Sequence, residues 1–174
     1  MRKLFILSLV FATYFLLSCQ KDSMDNQTSN SEKLLQAAKM NQEKDLPFKG
    51  SYSTSSEILQ PAPFLKTRIT GTGTATHLGN GTFVATSTVD FTTAPPFQLG
   101  GTATFTGANG DEFYTTFTGT ATPTGTGYLD IINVHTITGG TGRFQNAKGG
   151  FTGYTTAFPG HTEAYIDYKG TIVY

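Results

Sequence analysis

The chain has 174 residues, enough for one domain with a sizeable hydrophobic core. Its 12 Lys+Arg balance 12 Asp+Glu, and residues 47–174 keep only six basic and seven acidic side chains. No basic stripe runs through them, which argues against nucleic acid as a partner. One cysteine, Cys19, rules out an internal disulfide.

The first 18 residues read as a secretory leader. Arg2 and Lys3 form a positive start, and Leu4 to Leu17 is an apolar run of 14 residues, short for a membrane span. The run ends in Leu16-Leu17-Ser18-Cys19, which resembles a bacterial lipobox. The small Ser18 suits the peptidase, and Cys19 becomes the first mature residue, carrying acyl chains such as palmitate on its sulfur and amine. Several chains on one residue anchor stably where one chain is marginal. An ordinary signal peptide with a chance cysteine is the alternative. Residues 1–18 carry +2, so the mature chain is near −2. Residue 20 is Gln, not Asp, so the inner-membrane retention rule is not met, and the expected location is the outer membrane of a Gram-negative envelope. Gln20-Lys21-Asp22 resembles the start of a surface-export tag, with Ser23 where a second acidic residue is expected. Asp22-Ser23-Met24 resembles an O-glycosylation acceptor.

Residues 19–46 form a polar tether without β-pattern. Ser29 and Glu32 can make a capping box, and Leu34, Leu35, Ala38 and Met40 a sparse apolar stripe, so a short helix over 31–43 is expected within a spacer.

From Pro47 the pattern has period two. Strands are predicted at 47–54, 66–77, 82–92, 101–107, 112–121, 128–138, 151–158 and 164–173. Breaks fall at Gly79-Asn80-Gly81, Pro95-Pro96, Asn109-Gly110-Asp111, Pro123-Thr124-Gly125, Gly139–Gly142 and Pro159-Gly160. Asn-Gly is the strongest short hairpin signal. Short connections force antiparallel neighbours, and eight such strands with no helix between them favour a single closed antiparallel barrel over residues 47–174. A sandwich is the runner-up. Alternation puts Gly71, Gly73, Ala75 and His77 on one face and Thr70, Thr72, Thr74 and Thr76 on the other. Phe83, Ala85, Val89 and Phe91 share the inner face, as do Ala103 with Phe105 and Phe113 with Phe117. Threonines tile the outside, where a β-branch fits the pleat.

Between the sixth and seventh strands lies Gly139-Gly140-Thr141-Gly142-Arg143-Phe144-Gln145-Asn146-Ala147-Lys148-Gly149. It reads as a strand–turn–strand corner with Phe144 and Ala147 inward and Arg143 at the rim. It is not a P-loop, since a β-run follows and Lys148 precedes the glycine. Gly-Gly-Thr-Gly-Arg-Phe followed by Ala-x-Gly resembles the late-strand signature of the allene oxide cyclase/dirigent barrel superfamily. Gly73-Thr74-Ala75-Thr76-His77-Leu78-Gly79 and Ala108-Asn109-Gly110-Asp111-Glu112 resemble its uncharacterised bacterial members, and the likeness spans residues 47–174. The resemblance implies an eight-stranded barrel whose cavity chaperones or cyclises hydrophobic molecules, and a trimer. It carries over no catalytic residue.

Candidate cavity or rim residues are His77, Phe83, Phe113, Phe117, His135, Arg143 and Phe144. His77 faces inward near a strand end, as a cavity-mouth contact or as a histidine satisfied by a loop carbonyl. His135 shares the alternation of Leu129, Ile131, Asn133 and Ile137. Arg143 binds a carboxylate ligand, or pairs with Asp111, Glu112 or Asp130. A metal set of His77, His135 and His161 with Asp130 or Glu163 has no supporting spacing, so neither metal nor cofactor is expected. Asp111 and Glu112 are poorly placed as a carboxylate pair, because adjacent strand residues point apart. The Thr-x-Thr rows invite ice or glycan binding, but a small barrel is too twisted for a flat array. The expectation is an envelope lipoprotein whose barrel binds an apolar small molecule or serves as a structural adaptor. A cyclase- or dirigent-type enzyme and a surface module using the Thr-rich exterior are the alternatives.

Overall fold

A computed structural model describes residues 44–158 and 160–174. The leader, Cys19, and the helix expected over 31–43 lie outside the described residues. Eight strands form a closed barrel: β1 (Leu46–Gln60), β2 (Phe64–Ala75), β3 (Gly79–Asp90), β4 (Phe97–Thr106), β5 (Glu112–Pro123), β6 (Leu129–Gly140), β7 (Lys148–Ala157) and β8 (Glu163–Val173). Each pairs antiparallel with the next, and β1 closes the ring against β8, from Leu46↔Ile172 to Ser55↔Glu163. The barrel, not the sandwich, is therefore the architecture, and it leaves no unpaired edge.

The expected facing holds along the strands. Phe83 and Ala85 are buried in β3, Ala103 and Phe105 in β4, and Phe113 and Phe117 in β5, while Thr82, Val84, Thr102, Tyr114, Thr116 and Thr118 point out. The core is aromatic. The ring of Phe105 stacks on Phe83 at 5.3 Å and on Phe113 at 4.8 Å, and Tyr52 meets Phe83 edge-on at 5.2 Å. Such offset and edge contacts are the preferred geometries of ring quadrupoles.

Most strand ends differ from the periodic reading by one to six residues, β7 for example starting at Lys148 and not at 151, and three differences have a clear cause. β1 runs on to Gln60 because its exposed Ser-Ser-Glu end pairs with β2 beyond the last β8 contact, with a register shift between Ile58 and Gln60. β4 begins at Phe97, ahead of the Gly100-Gly101 pair that blurs its alternation. The β2–β3 turn sits earlier than the Asn-Gly signal. Asn80 and Gly81 are already in β3, opposite Thr74 and Gly73, and the chain reverses over Thr76-His77-Leu78 with His77 at φ 69°. A non-glycine residue in that region is uncommon, and its ring has two partners that hold it, described below.

Inside the barrel, several glycines sit directly across from rings. Gly71 pairs with Phe83, Gly101 with Phe117, Gly153 with Tyr168 and Gly170 with Phe151. A β-carbon on Gly153 would lie 2.7 Å from the Tyr168 ring, and one on Gly101 2.7 Å from the tip of Phe117. The missing side chains are what make room for the rings. Gly71→Val should therefore drive a branched side chain into Phe83 and destabilise the barrel by about 1–3 kcal/mol. Gly125→Ala, where nothing lies within 4 Å, should stay within about 0.5 kcal/mol of the parent. Urea midpoints check both, and equal midpoints for the two variants would refute the packing argument.

Candidate functional site

The two ends of the barrel differ. One end holds the β2–β3, β4–β5 and β6–β7 connections and both strand termini. The glycine-rich corner folds there as a short 3-10 turn, Gly142–Phe144, following the corner's Thr141. The Thr141 backbone N–H donates to Glu112 O at 2.8 Å, and the Glu112 N–H donates to Thr141 Oγ1 at 2.9 Å, docking the corner on the start of β5. Phe144 is thereby pressed into the barrel end, fully buried, edge-on to Phe113 at 5.6 Å. Phe48, Leu78, Ala147 and Ile172 complete the seal.

At the other end a cavity of about 610 Å³ runs from the mouth down to the aromatic floor. Its walls are Ile69, Phe83, Ala85, Val89, Leu99, Phe117, Ala121, Ile131 and Ile166, and Ile58, Leu65, Phe91, Phe158 and His161 frame the mouth. The cavity exists because inner positions toward the mouth carry small residues (Ala85, Ser87, Ala121), whereas those toward the sealed end carry rings. Its described lining includes no lysine or arginine; the carboxylates are Glu57 and Glu163, and Glu163 is exposed at the mouth.

Polar groups enter this wall at a few points, chiefly Ser87, Asn133, His135 and Tyr168. His135 is 3% exposed. Its neighbours across the sheet are Phe117 on β5 and Phe151 on β7, and its ring lies 4.7 Å from each, stacked on Phe151. Nδ1 lies 3.0 Å from Thr115 Oγ1, itself buried. Nε2 has no hydrogen-bond partner, and neither does Asn133 Oδ1. Burial pushes the His135 pKa down to about 3, so the ring stays neutral at physiological pH. Desolvation also raises the Tyr52 phenol to about 12, and raises Tyr168 further, with a contribution from Tyr52.

Of the residues singled out in the sequence, Phe83, Phe117 and His135 meet in the cavity wall. Phe113 and Phe144 belong to the sealed end and do not line it. His77 is at that end too, in the β2–β3 turn instead of at the mouth. Its Nε2 lies 3.0 Å from Pro47 O and its Nδ1 3.1 Å from the Tyr174 hydroxyl, so it is held by a carbonyl and a phenol. Arg143 lies on the outside of the seal. It reaches Asp111 at 3.7 Å, donates to His77 O and covers the Phe144 ring at 4.9 Å. Asp111 also accepts from Asn109 Nδ2, while Glu112 accepts from Thr106 and Tyr114, so the two carboxylates serve separate contacts. His77 at the seal, His135 in the wall and His161 at the mouth do not converge, and no cluster that could hold a metal occurs among the described residues. Thr115 and Ser87 were not singled out. Both follow from the alternations Phe113-x-Thr115-x-Phe117 and Phe83-x-Ala85-x-Ser87, which place a hydroxyl on the inner face.

Outside the barrel, Tyr128 just before β6, Ile132 on β6, Tyr154 on β7 and Tyr165 on β8 are exposed around Asp130 and Asp167. Compared with known proteins, the chain has no matching family model, no matching curated protein and no matching solved structure.

The buried histidine sets a pH dependence. Between the unfolded pKa near 6.5 and the folded value of about 3, the unfolded chain binds a proton that the folded barrel does not, so stability falls as pH falls through that window. The loss reaches at most about 1.4 kcal/mol per pH unit. Urea midpoints at pH 7 and 4.5 should show the parent losing on the order of 2 kcal/mol more than His135→Phe. Parallel losses would mean that His135 protonates freely inside the barrel.

Proposed function

We propose that this protein is a lipid-anchored envelope barrel that binds an apolar small molecule in its interior. One observation carries the reading: an apolar cavity of about 610 Å³, sealed at one end by Phe144 and reaching the surface at the other. Ligand pockets are commonly of this size and lining, with a few placed polar groups. The anchor is Cys19, with the polar tether holding the barrel off the outer membrane, on its periplasmic or its outer side. Kinship with the allene oxide cyclase/dirigent superfamily belongs to the same proposal. It rests on the glycine-rich corner and accords with an eight-stranded barrel of this form.

A cyclase- or dirigent-type enzyme is the second reading, favoured by one observation, a polar side chain inside a partly open cavity. Binding is preferred because an efficient general acid or base has a pKa near the working pH, whereas His135 is driven far below it. No carboxylate is bonded to its ring; its hydrogen-bond contact is a threonine hydroxyl.

Native mass spectrometry of the protein purified from its host should show a defined small adduct. Ile131→Trp, which fills the cavity from a half-buried wall position, should abolish the adduct without unfolding the barrel. An adduct that persists in this variant, or no uptake from any panel of apolar molecules, would overturn the cavity reading. Separately, Cys19→Ser should move the protein from the membrane fraction to the soluble fraction, and continued anchoring would rule out the lipid.

A further inference from the structure

The cavity wall is largely apolar, and its unpartnered buried polar atoms lie where β6 crosses it. Asn133 and His135 are two residues apart on that strand, so both face inward, about 7 Å apart along the chain. Asn133 Oδ1 and His135 Nε2 are removed from solvent and have no partner within the protein. A buried polar atom left unpaired costs on the order of 1–3 kcal/mol, and such groups in a folded protein call for an explanation. Here they border the apolar cavity.

We infer that the cavity selects an uncharged ligand with an apolar body and a hydroxyl group, the hydroxyl being recognised by His135 Nε2 and Asn133 Oδ1. This rests on the cavity reading above and specifies the chemistry of its ligand. The argument for a hydroxyl is one of hydrogen-bond capacity. The neutral imidazole offers at Nε2 either a lone pair or an N–H, according to whether Nδ1 donates to Thr115 or accepts from it. Asn133 Oδ1 only accepts. A hydroxyl both donates and accepts: where Nδ1 accepts from Thr115 it accepts from Nε2–H and gives its own proton to the amide oxygen, and where Nδ1 donates to Thr115 its one proton goes to the Nε2 lone pair. A carbonyl or an ether has no proton for Oδ1. An aliphatic or aromatic hydrocarbon leaves both atoms unpaired.

A carboxylate is excluded by charge. Burying an anion without a partner is costly, the described lining holds no lysine or arginine, and its charged side chains, Glu57 and Glu163, are themselves acidic. His135 does not substitute for a cation. Its ring is packed by Phe117 and Phe151, which desolvate the imidazolium that an anion would need.

The test compares naphthalene, 2-naphthol and 2-naphthoate, one ring system with no polar group, a hydroxyl and a carboxylate. Affinities are read at neutral pH by naphthyl fluorescence titration of the purified protein. The expected result is 2-naphthol binding about tenfold tighter than naphthalene, with 2-naphthoate the weakest of the three. His135→Phe should bring 2-naphthol to within about twofold of naphthalene while leaving naphthalene binding intact. Asn133→Leu, a second variant on the same wall, should narrow the preference in the same direction. Equal binding of naphthalene and 2-naphthol by the parent would overturn the hydroxyl selection and leave the cavity reading standing. Tightest binding of 2-naphthoate would overturn it too. Binding of none of the three would sink the cavity reading and this inference together.

Discussion

A ring laid over a glycine on the neighbouring strand is the contact on which this barrel depends. An eight-stranded barrel has an interior that side chains can just fill or that can hold one small ligand, and this one fills its closed half with phenylalanine and tyrosine. Those rings fit because Gly71, Gly101, Gly153 and Gly170 stand opposite Phe83, Phe117, Tyr168 and Phe151. Glycine in a strand carries an entropic cost and contributes no packing of its own. The covering ring offsets this by burying the bare backbone and taking the vacant volume. The pairing also pins register, since a slip of one residue would turn the ring outward and bring an outward-facing neighbour into its place, Thr116 or Thr118 for Phe117 and Asp167 or Lys169 for Tyr168.

The same arrangement decides where the barrel is solid and where it is hollow. Toward the sealed end Phe48, Phe105 and Phe144 each pack on Phe113, and none of the four lines the cavity. The corner that carries Phe144 needs backbone conformations open to glycine, with Gly139 at φ 128° and Gly142 at φ 53°. Arg143 then ties the outside of the seal to the β2–β3 turn and to Asp111. The most conspicuous motif in the chain is therefore a closure device. It gives the cavity a floor and so defines its single mouth, at the end opposite the chain's strand termini.

Strand number, order and facing were legible because antiparallel strands with one buried face write an alternation into the sequence. Height along the barrel axis was not. Alternation assigns a side chain to the inside, but whether it lies in the cavity or in the seal depends on barrel shear, which no local pattern carries. Phe83 and Phe113 look alike in sequence, yet one lines the cavity and the other plugs the end. His77 and His135 divide the same way. The β2 alternation points His77 inward, but that strand stops at Ala75 and the turn forms earlier than Asn80-Gly81. Asn-Gly favours a two-residue turn, and here the contacts of His77 with Pro47 and Tyr174 outweigh that local preference. Thr115 and Asn133 are visible as inward polar positions, but only the folded barrel shows that the Thr115 hydroxyl has a partner and the Asn133 amide oxygen does not.

A histidine in such a wall is a choice between two kinds of chemistry. Proton transfer requires stabilising the imidazolium, by a carboxylate, by water or by a helix C-terminus. His135 has a hydroxyl on one nitrogen, aromatic rings at its sides, and no α-helix among the described residues to face it. Each of these disfavours the charged form, and together they hold the ring as a fixed neutral dipole. That arrangement suits recognition. A neutral dipole in a low-dielectric wall discriminates strongly between a partner that completes its hydrogen bond and one that leaves it open. It asks for no counter-ion, and neither Glu57 nor Glu163, the carboxylates of the lining, is bonded to it. The low charge of residues 47–174 thus extends inward, and selection inside the barrel is left to shape and to hydrogen bonds.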